Sequence, residues 1–140
     1  MGRIMAIDFG QKRTGIAVTD PLRIIASGLA TIPSNEVISY LNHYFQHEQV
    51  DLLVVGEPRD MMNRPSDASR FTEPFAKRLA RAFPQIPLVR YDERFTSRMA
   101  FQTMIDAGLG KKKRQDKALV DTISATLILQ SYLEHQKNQQ

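Results

Sequence analysis

Apolar residues run from Ile4 to Phe9, interrupted only by Asp8, and resume from Ile16 to Val18 after Gly10 and Gly15. Two short runs flanking glycines predict a β-hairpin, the glycines supplying turn conformations that other residues resist. Ile24 to Ile32 predicts a third strand, closed by Pro33. Ser34 and Asn35 are placed to cap a helix whose apolar positions Val37, Ile38, Leu41, Tyr44 and Phe45 follow helical spacing. Leu52 to Val55 is continuously apolar and ends at Gly56, the pattern of a strand buried on both faces. A polar stretch from Arg59 to Ser69 predicts a long loop, a kind of segment that often carries function. Phe71, Phe75, Leu79 and Ala82 fall on one helical face, and Pro74 predicts a helix that begins near Thr72 or kinks there. Pro87 to Asp92 predicts a fifth strand. Thr96 is placed to cap a helix carrying Met99, Met104 and Ile105 and ending at Gly108 or Gly110, and a last helix runs from about Asp116 to Gln136.

Three strands joined by short turns predict an antiparallel meander, and two later strands each reached through a helix predict parallel additions to it. The expected fold is α/β: a mixed five-stranded sheet flanked by helices, for which an RNase H-like arrangement is one natural solution. The length of 140 residues predicts a single domain over 1–140, with a polar, frayed tail after about 135.

Composition narrows the function classes. With 42% hydrophobic and 24% charged residues the chain reads as an ordinary globular protein. The absence of cysteine excludes disulfides, thiolate zinc sites and a Cys nucleophile. No apolar run approaches the ~20 residues of a membrane span, and the N-terminus lacks a signal-peptide core, so a cytoplasmic protein is expected. A formal charge of +4 favours a polyanionic partner.

The chemistry lies in the acids. A carboxylate such as Asp8 inside a core-bound strand costs desolvation energy unless something pairs with it: a metal ion, a hydrogen-bond network, a phosphate's counter-ion, or its own turn backbone. Parallel strands end on one edge of a sheet, where ligands gather. Asp8, Glu57, Asp92 and Glu93 all fall at such ends, and helical spacing puts Asp121 on one face with Ser124, Ala125, Ile128 and Tyr132. Two bare carboxylates ~4 Å apart repel by about 4 kcal/mol at an effective dielectric of ~20. A divalent cation reverses that sign, and Mg²⁺ or Mn²⁺ takes oxygen ligands of this kind together with substrate phosphate. His43 and His47 also stand one helical turn apart, but without a third ligand they are expected to be a solvated face. Lys111, Lys112, Lys113 and Arg114 form a basic run with two readings, a phosphate contact or a solvated loop. There is no Trp and no run interleaving aromatics with basic residues, so extended base stacking is not expected.

Four stretches together resemble a known family. Asp8-Phe9-Gly10-Gln11-Lys12-Arg13-Thr14-Gly15 through Asp20 resembles the opening motif of the YqgF/RuvX family. Val54 to Pro58, Asp92 to Ser97, and Asp121 through Leu133 are similar to its three later motifs, in order and over nearly the whole chain. The resemblance implies an RNase H-like nuclease that matures the 5′ end of the small-subunit (pre-16S) ribosomal RNA precursor, in a family first described as a Holliday junction resolvase. It implies Asp8, Glu93 and Asp121 as catalytic, metal-binding acids for Mg²⁺ or Mn²⁺, and Lys12, Arg13 and Arg94 facing the nucleic-acid backbone. Glu57 and Asp92 are additional metal-ligand candidates, although Glu57 pairing with Arg59 or facing solvent is the favoured expectation for that residue. The loop after Pro58 lacks the glycine that often follows the Asn in this family. Two alternatives remain beside the rRNA nuclease: a resolvase of branched DNA, which calls for a twofold dimer, and a non-catalytic RNA-binding module.

Overall fold

A computed structural model describes residues 2–58, 62, 68–93 and 117–138. The expected helix between Thr96 and Gly110, the basic run Lys111–Arg114 and most of the loop after Pro58 lie outside the described residues. The strands are β1 (Arg3–Phe9), β2 (Arg13–Thr19), β3 (Ala26–Pro33), β4 (Val50–Glu57) and β5 (Leu88–Asp92). The helices are α1 (Val37–Tyr44), α2 (Ser69–Ala82) and α3 (Lys117–Asn138). All five strands form one sheet in the order β3-β2-β1-β4-β5. The β1–β2 and β2–β3 pairs are antiparallel, and β4 and β5 add in parallel as their helical connections require.

Strand side chains alternate between faces, and this period of two sorts the core. Met5, Ile7, Ile16, Val18, Leu53 and Val55 face α1 and α2, where they pack with Val37, Leu41, Phe75, Leu79 and Phe83. Ile4, Ala6, Ala17 and Val54 face the other way and pack with Ala125, Ile128 and Leu129 of α3. Fully burying a side chain as large as Phe75 or Leu79 stabilises the fold by roughly 1.5–3 kcal/mol relative to exposure. The central β4 is buried on both faces, as its continuous apolar run predicts.

Several local expectations are corrected. Gly15 is not a turn residue: it lies inside β2, paired with Asp8 on one side and Thr31 on the other. β3 begins at Ala26 rather than Ile24, because the Asp20 carboxylate accepts the backbone N–H groups of Ile24 and Ile25 at 2.8 Å each. That turn places Arg23 at a left-handed φ of 60° and leaves Leu22, Ile24 and Ile25 exposed. Ser34 does not cap α1; it opens a 3-10 turn and its hydroxyl donates to the Gly10 carbonyl while bonding Thr14 Oγ1 at 2.9 Å. α2 starts at Ser69 and runs through Pro74. Its buried face is Thr72, Phe75, Ala76 and Leu79, so Phe71 stands off the core and is 39% exposed.

Candidate active site

Asp8 is the second-last residue of β1, and its even position in that strand turns it to the same face as Ile4 and Ala6, toward α3. Glu93 follows β5 directly. Its backbone N–H donates to the Glu57 carbonyl at 3.1 Å, extending the strand register by one residue. Its side chain then lies across Gly56, where a Cβ would overlap Glu93 Oε1. The glycine at the end of β4 is therefore a cradle for this carboxyl.

The two carboxyls meet. Asp8 and Glu93 share a side-chain hydrogen bond, which requires one proton between them. Burial first, then the negative charge of Asp8 and the shared bond, push Glu93 up to about 9, with Asp92 adding to the rise and Arg90 opposing it. Asp8 is also raised by burial; the bond from Glu93 works against that rise, and the charge of Asp121 adds to it. A protonated Glu93 donating to an Asp8 carboxylate is the arrangement these influences favour.

Asp121 reaches the same corner from α3. The start of that helix sits unusually close to the sheet: a Cβ at Gly15 would overlap the backbone oxygen of Asp121, and one at Gly28 would overlap Thr122 Cγ2. Thr122 Oγ1 and Thr31 Oγ1 close the contact at 2.6 Å. The Asp121 carboxylate accepts from Arg13 Nε at 3.2 Å. Arg13 shares the face of Gly15 and Ala17, so strand parity delivers it to the same place.

The acids expected from sequence thus divide. Asp8 and Glu93 are in direct contact, and Asp121 is close enough for its charge to act on Asp8 while its own carboxylate holds Arg13. Glu57 ends β4 half-buried, in register with Asp92, the last residue of β5. Among the described residues no group of three or more acidic or imidazole side chains is gathered closely enough to hold a metal ion. The donor set at the centre nevertheless fits a hard divalent cation. Two desolvated carboxyls sharing a proton present only oxygen ligands, and a cation can take the proton's place. His43 and His47 stack edge to face at 4.9 Å on an exposed helix end, as a solvated face would.

Lys12 is exposed on the β1–β2 turn, which Ser34 braces by donating its N–H to the Lys12 carbonyl at 2.9 Å. Arg94 and Lys111–Arg114 lie outside the described residues, as does a Glu57–Arg59 pair. One contributor escaped the sequence reading. Arg90 Nη1 donates to Glu73 of α2 at 2.6 Å, Nη2 to the Gly56 carbonyl at 3.1 Å and Nε to the Val55 carbonyl at 3.3 Å. It ties α2 to the β4 end on which Glu93 rests. The signal was a lone cation between Val89 and Tyr91, on the face of β5 opposite to theirs.

The profile of a family described as "RuvX: Holliday junction resolvase" matches residues 2–135. A protein of Parabacteroides distasonis, provisionally named a pre-16S rRNA nuclease, is 57% identical over 139 residues, covering 99% of both chains. A Flavobacterium johnsoniae protein with the same provisional name is 52% identical over 137 residues, covering 98% of this chain and 99% of its own. Among solved structures, T. thermophilus RuvC in complex with a Holliday junction substrate aligns over 91% of this chain and 92% of its own, with a TM-score of 0.53 at 14% identity. At that identity the likeness is one of fold.

Proposed function

The chain belongs to the RuvX family, and on that premise we propose that it is a metal-dependent nuclease that matures the 5′ end of the pre-16S ribosomal RNA. The fold is RNase H-like, shared with RuvC, and the chemistry is hydrolysis of phosphodiester bonds. The observation that carries the reading is the Asp8–Glu93 pair, two half-buried carboxyls in hydrogen-bonding contact at the strand ends, with Glu93 seated across Gly56. Such a pair is unfavourable in itself and favourable around a cation.

Asp8 and Glu93 would hold Mg²⁺ or Mn²⁺, giving up their shared proton, and Asp121 would join them as a third ligand. When bound, divalent ions activate water and stabilise the leaving oxygen of a phosphodiester. The chain's own residues do the rest. Arg13 neutralises Asp121 before substrate arrives and offers the same guanidinium to an incoming phosphate, a charge-assisted contact in either state. Arg90 holds the backbone beneath Glu93 and so fixes the direction of its carboxyl. Lys12, Arg94 and Lys111–Arg114 supply further phosphate contacts, and Glu57 and Asp92 stand as supplementary acids at the same edge. A protein acting on a ribosomal precursor would work in the cytoplasm; no described helix is long and apolar enough to cross a membrane.

A second reading is favoured by one observation, the shared fold with a RuvC structure that holds a four-way junction. Resolving such a junction needs two symmetry-related cuts and hence a twofold dimer. The deciding assay offers purified protein, with Mg²⁺ or Mn²⁺, a 5′-extended pre-16S RNA and a four-way DNA junction side by side. The proposal expects trimming of the RNA that vanishes in Asp8→Asn. Symmetric junction cutting with the RNA untouched would move the assignment to the resolvase, and metal-independent binding without cleavage would leave an RNA-binding module.

A further inference from the structure

Between the β1–β2 turn and the first turn of α2 lies an open cavity of about 460 Å³, whose walls include Phe9, Lys12, Arg13, Phe71 and Asp121. Its volume falls at the small-ligand end of binding clefts, roughly 300–1,000 Å³. That is room for a single nucleotide. The lining is ordered by chemistry. Asp121, the α3 member of the catalytic acids, marks one wall. Lys12 and Arg13 are the cations of the hairpin side, and Phe71 is the aromatic of the α2 side.

Phe71 is the anomaly that this cavity explains. The buried face of α2 runs through Thr72, Phe75, Ala76 and Leu79, so Phe71 is a large aromatic set one position off the core and left 39% exposed. The Arg70 guanidinium lies over its ring, 5.2 Å from the centroid, so the exposed aromatic already stacks with a planar cation. Behind the cavity, Phe9 stacks on the buried Phe75 with ring centroids 4.2 Å apart, so the wall shared by β1 and α2 is rigid. Neighbouring Ser34 ties down the turn that carries Lys12 and Arg13 through bonds to the Gly10 carbonyl and Thr14.

We propose that this cavity is a subsite for a single unstacked nucleotide of the substrate strand, its base lying against Phe71 and its phosphate held by Lys12 and Arg13. The inference rests on the nuclease reading and deepens it. A base can lie on a side-chain ring only when it has left its own stack, so the subsite selects single-stranded RNA beside the cleaved bond over paired RNA. The ring has no hydrogen-bonding edge, so the choice is for strandedness, not for sequence.

The test uses full-length protein in EDTA, where binding is separated from cleavage. A single-stranded oligoribonucleotide carrying 2-aminopurine at successive positions is titrated with wild type, Phe71→Tyr and Phe71→Leu, alongside a duplex of the same sequence. Wild type should quench the fluorophore at one position and prefer the single strand. Phe71→Leu should lose the quench and bind the single strand about tenfold more weakly, with duplex binding unchanged, while Phe71→Tyr keeps both. Circular dichroism confirms folding, and the partial exposure of Phe71 makes both substitutions mild. Equal affinity and quenching in wild type and Phe71→Leu, or no binding of the single strand by wild type, would overturn the subsite. Cleavage of precursor RNA by wild type, run in parallel with Mg²⁺, separates that failure from failure of the nuclease reading.

Discussion

The two faces of the sheet are built from different materials. Toward α1 and α2 the strands present Met5, Ile7, Ile16, Leu53 and Val55, and the helices answer with Leu41, Phe75 and Leu79. Toward α3 they present Ile4 and Val54 among small residues, Ala6, Gly15, Ala17, Gly28 and Gly56. Large side chains fill the space between the sheet and the first pair of helices, the larger of the two apolar clusters. The glycines and alanines of the second face let a helix and a carboxyl settle almost onto the strand backbone. At Gly15 the contact is backbone against backbone, so no side-chain rotation can relieve an added methyl. The first face carries stability and the second sets where Asp121 and Glu93 stand relative to Asp8.

The largest effect should come from the centre of the thin face. Asp8→Asn is expected to lower metal-dependent cleavage by at least about 10³-fold, the scale on which loss of a group acting in the transition state is felt. Its thermal stability without metal should equal or exceed that of wild type, since a desolvated carboxylate repelled by Asp121 is removed. Single-turnover cleavage and a thermal melt check both. Near-full activity would remove Asp8 from the chemistry.

Next come substitutions that set the faces against each other. Gly15→Ala should cost about 1–3 kcal/mol through overpacking, and roughly 10²-fold in rate if Asp121 moves by about 1 Å. Leu79→Ala, fully buried on the thick face, should cost about 2–5 kcal/mol with little change in the rate per folded molecule. Denaturant unfolding paired with kinetics on the folded fraction checks the pair. A Gly15→Ala enzyme that cleaves normally would break the contrast.

A pH dependence follows from the shared proton. Glu93 titrates near 4.5 when unfolded and at about 9 in the fold. Across that window the folded state holds the extra proton, so without metal stability falls as pH rises, by up to about 1.4 kcal/mol per unit for one proton. Glu93→Gln should flatten the slope, and Mg²⁺ or Mn²⁺ should oppose it while releasing a proton, visible as a buffer-dependent heat of binding. A metal-free protein whose stability rises from pH 6 to 8 would contradict the arrangement.

The smallest effect concerns Arg13. Arg13→Gln removes the cation held by Asp121 and one phosphate contact together. Substrate affinity should become less salt-dependent by roughly 0.7 in log–log slope, as for one lost contact on a single strand. Metal affinity without substrate should rise severalfold. Salt-series binding and calorimetry check these, and an unchanged slope would confine Arg13 to its ion pair.

How much of this was legible beforehand depends on the kind of signal. The continuous run Leu52–Val55 and the strand-end acids announced the sheet and the edge at which those acids gather, because burial and strand polarity leave one-dimensional traces. Strand parity could even have sent Asp8 and Arg13 to one face. The glycines could not be sorted in the same way. Gly15 stands beside an apolar run as a turn glycine would, and only the packed helix reveals a close approach instead. Phe71 was misplaced because a helical face through 71, 75, 79 and 82 competes with the observed one through 72, 75, 76 and 79. Ile24 and Ile25 looked like strand because their hydrogen bonds to Asp20 are invisible in an apolar pattern. Arg90 went unread because its partners, Glu73 and two β4 carbonyls, are distant in sequence.

If the thin face delivers the carboxylates of Asp8, Glu93 and Asp121 to one cation site, anomalous diffraction will show it. Crystals of the full chain are grown with Mn²⁺ and a non-cleavable single-stranded oligoribonucleotide. Manganese peaks are expected in contact with the carboxylates of Asp8, Glu93 and Asp121, with Arg13 turned from Asp121 to a phosphate. Manganese bound elsewhere, or an Asp121 still holding Arg13 while substrate and metal are both in place, would contradict it.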